Sequence, residues 1–139
     1  YFVWLQNQYQ GKVSAMITYN KDLSRKVYAG ADMFLMPSKA EPCGLSQMIA
    51  CRYGTVPIVR ETGGLRDSIT DCSFGEGNGF TFAGYNPDEM ADAIYRAIDL
   101  YYNNPDNWDK LRKYISTIGF SWANSANKYD EMYSWLLGR

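Results

Sequence analysis

Ala31-Asp-Met-Phe-Leu-Met-Pro-Ser-Lys-Ala-Glu-Pro-Cys-Gly-Leu-Ser-Gln-Met-Ile-Ala-Cys-Arg-Tyr-Gly-Thr-Val-Pro-Ile-Val-Arg60 decides how this chain folds. The stretch opens on a short apolar run, Ala31 to Met36, closed by Pro37, which reads as a buried strand. A polar loop, Ser38 to Cys43, leads into a helix over about Gly44 to Tyr53, and Gly54 stops it. Val56 to Arg60 is another buried strand, with Pro57 near its start, where a missing N–H is tolerated. Strand, helix and strand in this order make a parallel βαβ unit with a right-handed crossover.

The alternation continues outward. Upstream, Tyr1 to Tyr9 reads as the tail of a helix ended by Gly11. Lys12 to Tyr19 reads as a buried strand, and Asp22 as the cap of a helix over about Leu23 to Gly30. Downstream, Thr62-Gly63-Gly64 turns the chain into a short helix toward Thr70. Cys72 to Asn78 is a polar, Gly-rich loop, and Gly79 to Phe82 a short strand. Pro87-Asp88-Glu89 starts a helix, with Pro and acids in its first turn. That helix aligns Met90, Ala93, Ile94, Ala97, Ile98 and Tyr101 on one face. Pro105 opens another, to about Ile118, and Ser121 caps the last, Trp122 to Leu137. The fold class is α/β, a Rossmann-like parallel sheet with flanking helices.

Composition narrows the chemistry. With 139 residues, 46% apolar and 21% charged, the chain can bury a real core. A net charge of −1 offers no broad attraction to nucleic acid or to an anionic membrane. No histidine is present, which removes Ser–His–Asp and Cys–His mechanisms. Cys43, Cys51 and Cys72 are widely spaced, which argues against a zinc site or a disulfide framework and for a reducing cytoplasm. No apolar run approaches a membrane span. The chain does not open on Met, so its true amino terminus is expected upstream. The 12 Tyr and 4 Trp are expected mostly on buried faces, which argues against a sugar-binding surface.

In open parallel sheets ligands bind beyond the carboxyl ends of the strands. The loops after Tyr19, Met36 and Arg60 are therefore the candidates. In Pro37 to Gln47, Gly44 lets a ligand approach the backbone, and the N–H groups of Gly44, Leu45 and Ser46 at a helix start suit a diphosphate. Glu41, held extended by Pro42, can accept hydrogen bonds from sugar hydroxyls. The plainer reading is an α/β loop with a capping Ser46 and an exposed Glu41. Thr62-Gly63-Gly64-Leu65 is either a tight turn or a second point of close backbone approach. Lys39, Arg66 and Asp67 read as solvated. Asp71 and Glu76 form no legible acid–base pair, and Cys43 lacks the basic neighbour that would make it a nucleophile.

Ser38-Lys-Ala-Glu-Pro-Cys-Gly-Leu-Ser-Gln-Met48 and Arg52-Tyr-Gly-Thr-Val-Pro-Ile-Val-Arg-Glu-Thr-Gly-Gly-Leu-Arg-Asp67 closely resemble bacterial glycogen synthases and plant starch synthases. Ala29 to Pro37, Gly119-Phe-Ser-Trp122, Tyr129 and Tyr133 fit the same pattern. The resemblance runs from about Val13 to Leu137. It implies a retaining GT-B glucosyltransferase, two Rossmann-like domains across a cleft. That family transfers glucose from ADP-glucose to the nonreducing end of an α-1,4-glucan, without a metal or other cofactor. On this reading residues 1–119 are the donor-binding carboxy-terminal domain, incomplete on its amino-terminal side. Residues 120–139 are a helix leaning back on a missing amino-terminal domain.

The resemblance also assigns roles. Glu41 should hold donor-glucose hydroxyls, with Cys43 and Gly44 beside the sugar. Leu45 and Ser46 should hold the diphosphate, and Tyr19 should stack on adenine; from the residues alone, Tyr19 is a core tyrosine at a strand end. Related transferases carry a second Glu eight positions after the first, where this chain has Ile49. This fits the glycogen-synthase branch and leaves no carboxylate on that helix for the ribose. Basic phosphate-binding residues of the family lie upstream, so this chain alone is expected to be inactive. Location is expected to be cytoplasmic, or plastidic for a starch enzyme. The stripe Trp122, Tyr129, Met132, Tyr133, Leu136 and Leu137 either packs on the chain's own sheet or, following the family, loses its partner and drives self-association. The alternatives are another GT-B nucleotide-sugar transferase and a noncatalytic carbohydrate-binding module.

Overall fold

A computed structural model describes residues 1–138. Three parallel strands form the sheet in the order β1 (Met33–Met36), β2 (Val56–Arg60), β3 (Phe80–Phe82). Met33 lies opposite Val56, and Ile58 opposite Phe80. Seven helices surround it among the described residues: α1 (Phe2–Gln8), α2 (Lys21–Gly30), α3 (Ser46–Arg52), α4 (Gly64–Ser68), α5 (Pro87–Asn103), α6 (Pro105–Thr117) and α7 (Trp122–Leu136). α3 connects β1 to β2, which is the βαβ unit expected from residues 31–60.

Each element has a local cause. Val56-Pro-Ile-Val is β-branched apart from its proline and is buried on both faces, as a central parallel strand must be. Pro57 is tolerated there despite its missing donor. Asn86 caps α5 by accepting the Glu89 N–H at 2.9 Å, and the Glu89 carboxylate reaches back to the Asn86 amide and to the Ala83 and Gly84 N–H groups. The Gly84 N–H, then the Asn86 amide, hold the Glu89 carboxyl below the usual glutamate range. Ala93 and Ala97 of α5 are buried against the sheet, with Met90, Ile94 and Tyr101 beside them. Ile98, expected on that face, stays at the rim. From α6, Trp108, Leu111 and Ile115 close the same core. Covering Phe80 or Ile58 contributes about 1.5–3 kcal/mol each, so truncating either side chain would threaten a sheet this small.

Several expectations need correction. Lys12 to Tyr19 forms no strand, and Met16, Ile17 and Tyr19 are exposed. A strand exists only when a neighbour takes its backbone hydrogen bonds, and β1 pairs with β2 alone. β1, expected to be buried, is only half-buried, with Leu35 exposed.

α2 begins at Lys21 and is capped by Asn20, whose Oδ1 accepts the Leu23 N–H at 2.9 Å; Asp22 sits in the first turn, where its charge suits the helix dipole. Ser121 precedes α7, but its side chain makes no capping bond.

The aromatics are mostly not buried. Only Phe80, Phe82 and Trp108 are, among the described residues. No residue of α7 is buried, so its apolar stripe does not pack on this chain's sheet.

Candidate functional site

Parallel strands send their carboxyl ends to one edge. The loops after Met36, Arg60 and Phe82 therefore meet there, and the first two are knitted together. The Gly64 N–H donates to the Glu41 carbonyl oxygen at 3.0 Å. A Cβ on Gly63 would run into that same oxygen, and one on Gly64 into the Cys43 carbonyl. Gly63 has φ +45, which also favours glycine. Thr62-Gly63-Gly64 is a turn, and its glycines admit the backbone of the Glu41 loop.

α3 begins two residues later than expected. Ser46 is its first residue, Leu45 its N-cap, and Gly44 is a left-handed turn residue with φ +71. The first return bond runs from the Ile49 N–H to the Leu45 carbonyl at 3.0 Å. The N–H groups without an intrahelical partner are therefore those of Ser46, Gln47 and Met48, with Leu45 just before them. The Gly44 N–H belongs to the turn. The shift has a cause in Gly44 itself, whose positive φ cannot enter a right-handed helix.

Gln47 holds this helix start in place and was missed as a functional candidate. It is fully buried. Its amide nitrogen donates to the Gly44 carbonyl at 2.8 Å and to the Ser68 hydroxyl at 3.1 Å. The hydroxyl passes on to the Gly64 carbonyl at 2.6 Å. One buried amide so ties α3 to α4. Its oxygen has no donor among the described residues, and a Cβ on Gly44 would sit 2.7 Å from it.

Arg60 was also missed. Its Nη1 donates to the Lys39 carbonyl at 3.0 Å, two residues before Glu41. Its guanidinium lies 5.6 Å from the Tyr85 ring centroid, a cation–π distance. The legible signal was an arginine at the end of a buried strand, beside the loop after β1.

Glu41 is half-buried, and the Ser38 hydroxyl lies 3.5 Å from its Oε2, at the limit of a hydrogen bond. Both carboxylate oxygens therefore keep acceptor capacity. Cys43 and Leu45 are exposed, Gly44, Ser46 and Thr62 half-buried. The structure brings Glu41, Cys43, Gly44, Leu45 and Ser46 together with Thr62, Gly63 and Gly64. Tyr19 does not join them. It is 98% exposed and precedes the cap of α2, not a strand end. The Glu41 loop forms an open surface, and Leu45 borders a cleft of about 550 Å³ beside Phe120 and Ser121.

Such a surface offers free N–H groups that suit an anion and a carboxylate that suits hydroxyl groups. It has no histidine for proton transfer, and no cluster of metal-ligating side chains occurs among the described residues. Asp71 has a structural task. Burial works to raise its carboxyl, but hydrogen bonds from Arg96, Thr81 and Ser73 outweigh burial and hold it below the usual aspartate range.

Several known proteins are similar to this chain. Residues 5–118 match the family described as glycosyl transferases group 1. The glycogen synthase of Desulfitobacterium hafniense is 49% identical over 130 residues, 92% of this chain and 28% of that protein. The glycogen synthase of Bacillus cereus strain B4264 is 48% identical over 139 residues, 99% of this chain and 29% of that protein. Among solved structures, the catalytic domain of starch synthase IV from Arabidopsis thaliana, bound to ADP and acarbose, superposes with a TM-score of 0.84 at 38% identity. The match covers 99% of this chain and 29% of that one. A sucrose-phosphate synthase from Thermosynechococcus elongatus, at 22% identity and a TM-score of 0.65, shares the fold. The chain spans less than a third of the length of the curated relatives it matches. With its helix starts and loops at the carboxyl edge of a parallel sheet, the chain belongs to the glycosyl transferases group 1 family.

Proposed function

We propose that this chain supplies the donor-nucleotide half of a glycogen or starch synthase. The whole enzyme moves glucose from ADP-glucose to the nonreducing end of an α-1,4-glucan, with retention. The anomeric carbon exchanges its bond to the diphosphate for one to an acceptor oxygen, and the acceptor proton leaves with ADP. The observation that carries the reading is the junction of the Glu41–Ser46 loop with the Thr62–Gly64 turn beside the open start of α3. Relatives named glycogen synthase, and a starch synthase solved with ADP and acarbose, support the same assignment.

In this scheme Glu41 accepts hydrogen bonds from donor-glucose hydroxyls. Cys43 and Gly44 line the sugar. Leu45 and Ser46 offer N–H groups to the diphosphate, where a helix start stabilises developing negative charge. Thr62, Gly63 and Gly64 form the wall facing the acceptor. Tyr19, free in solution here, packs on adenine once its segment is held as a strand by the rest of the enzyme. The scheme calls on no metal or other cofactor, and places the enzyme in the cytoplasm or a plastid. An open half-site lacks the facing wall that excludes water and aligns reactants, so the chain by itself transfers no glucose.

The test has two arms. With this chain, ADP should perturb the amide signals of Leu45 to Met48, and labelled glucose should enter glycogen only at background. With a full-length synthase carrying this sequence, Glu41→Ala should lower turnover by roughly a hundredfold or more while ADP affinity stays within a few-fold. Equal losses would move Glu41 from the sugar to the nucleotide.

A further inference from the structure

A second cleft lies away from the site just described. It holds about 660 Å³ between the Cys72–Asn78 loop and α6, within the range of small-molecule sites. This loop leads into the amino end of β3, so the cleft lies at the opposite end of the sheet from the Glu41 loop.

Its chemistry is specific. Cys72, Leu100 and Leu111 make an apolar floor, and the exposed Tyr114 ring stands on α6 at its side. Asn107, Lys110 and Tyr114 follow one another at helical spacing, three and four residues apart, so α6 presents all three to the cleft. Glu76 faces them from the loop. Glu76 and Lys110 have no salt-bridge partner among the described residues. The backbone N–H groups of Gly75, Glu76 and Gly77 donate to no protein acceptor among them either. Gly77 cannot be replaced without displacing the Asp71 backbone, and the Arg96–Asp71 pair anchors the loop's start at 2.8 Å. The loop is therefore held at both its ends.

One carboxylate and one ammonium cancel. A phosphate or nucleotide would meet Glu76 as well as Lys110, and an apolar peptide would leave both charges buried and unpaired. A neutral ligand dense in hydroxyls suits every group. It can stack its C–H face on Tyr114 and exchange hydrogen bonds with an acid, an amide, an ammonium and free N–H groups.

We propose that this cleft is a second carbohydrate site, which takes a neutral α-1,4-glucan chain at the end of the domain remote from the transfer site. The saccharide class follows from the cleft alone; the α-1,4 linkage rests on the proposed function. The site would hold a growing polymer near the enzyme and raise its local concentration through linkage.

The experiment titrates this chain with maltoheptaose, cellohexaose, inorganic phosphate and ADP, followed by amide shifts and calorimetry. Maltoheptaose should bind with a Kd on the order of 1 mM, shifting Gly75, Gly77 and Asn107. Tyr114→Ala should weaken it at least about tenfold, and Tyr114→Phe should retain most of it. No shift at those residues at about 10 mM maltoheptaose, equal binding of cellohexaose, or displacement by phosphate would overturn the proposal. Shift mapping on the unchanged chain decides the question even where a variant fails to fold. ADP is the separate probe: loss of ADP shifts at Leu45 to Met48 counts against the donor site only.

Discussion

The Gly64 N–H and the Glu41 carbonyl oxygen are 3.0 Å apart, and this bond sets the position of the whole candidate site. It fastens the loop after β1 to the turn after β2. Arg60 supports the loop through Lys39, and Gln47 fastens the helix start behind it. The Glu41 side chain is thus carried on a backbone held at both ends.

Gly64→Ala should break this junction. The new methyl would run into the Cys43 carbonyl, a backbone atom that cannot yield as a flexible side chain does. Overpacking of this kind costs about 1–3 kcal/mol, and the melting temperature should fall by several degrees. Gly30→Ala is the control. Gly30 ends α2 with an ordinary φ and open space around it, so stability should hold or rise slightly. Equal effects in thermal melts would show that the junction matters less than the geometry requires.

Acid should loosen the loop that leads to β3. The Asp71 carboxyl lies below its usual value, so its contribution is complete above the unfolded-state pKa of about 3.9 and disappears as the pH falls through its folded value. Asp71→Asn should cost about 2 kcal/mol at pH 7, typical of a hydrogen bond to a charged partner. The gap between the two proteins should close below about pH 4. Melting curves from pH 7 to pH 3 would check it; a gap that stays constant would mean that the Arg96 bond gains nothing from the charge.

The three thiols should react in a fixed order. Cys43 is exposed in the Glu41 loop. Burial pushes Cys51 up to about 11, and burial with the neighbouring Asp71 charge does the same for Cys72. Since the thiolate is the reactive form, a charged disulfide reagent at pH 8 should titrate one thiol quickly, and all three only after denaturation. Peptide mapping should find the label on Cys43, and ADP should slow it if the nucleotide lies against this loop. Fast labelling of Cys72 would mean that the cleft beside it opens.

Much of this was legible in the sequence because it depends on neighbours in sequence. Val56 to Arg60 announces a buried strand by composition, and Pro87 with Asp88 and Glu89 announces a helix start. Lys12 to Tyr19 has equally good strand composition and is not a strand, because pairing depends on distant residues. Gln47 was passed over because a glutamine in an apolar helix gives no sign of which carbonyls it will reach. The glycine pair at Gly63 and Gly64 stands out in the sequence, yet its cause, the backbone of the loop from Glu41 to Cys43, is visible only in the structure.

Aromatic content misled in the opposite direction. Rings were expected inside, and most are outside, nowhere more so than on α7. Trp122 is 85% exposed and Trp135 79%. Tyr129 and Tyr133 stack on each other at 6.3 Å instead of on the sheet. Met132, Leu136 and Leu137 are exposed as well. Such a surface exceeds what a monomer in water usually shows. Covering one large apolar side chain contributes about 1.5–3 kcal/mol, so several together outweigh a good part of the entropy cost of association. The purified chain should therefore self-associate, with a light-scattering mass that rises with concentration. Ending the chain at Gly119 should return it to a monomer while the thermal transition of the remaining domain survives, because α7 contributes no buried residue to its core. Tryptophan emission should report the same event: Trp108 is buried in either state, whereas Trp122 and Trp135 should shift to the blue only on association. A monomer at millimolar concentration, with both of these rings still quenched by iodide, would show that the helix tolerates its exposure.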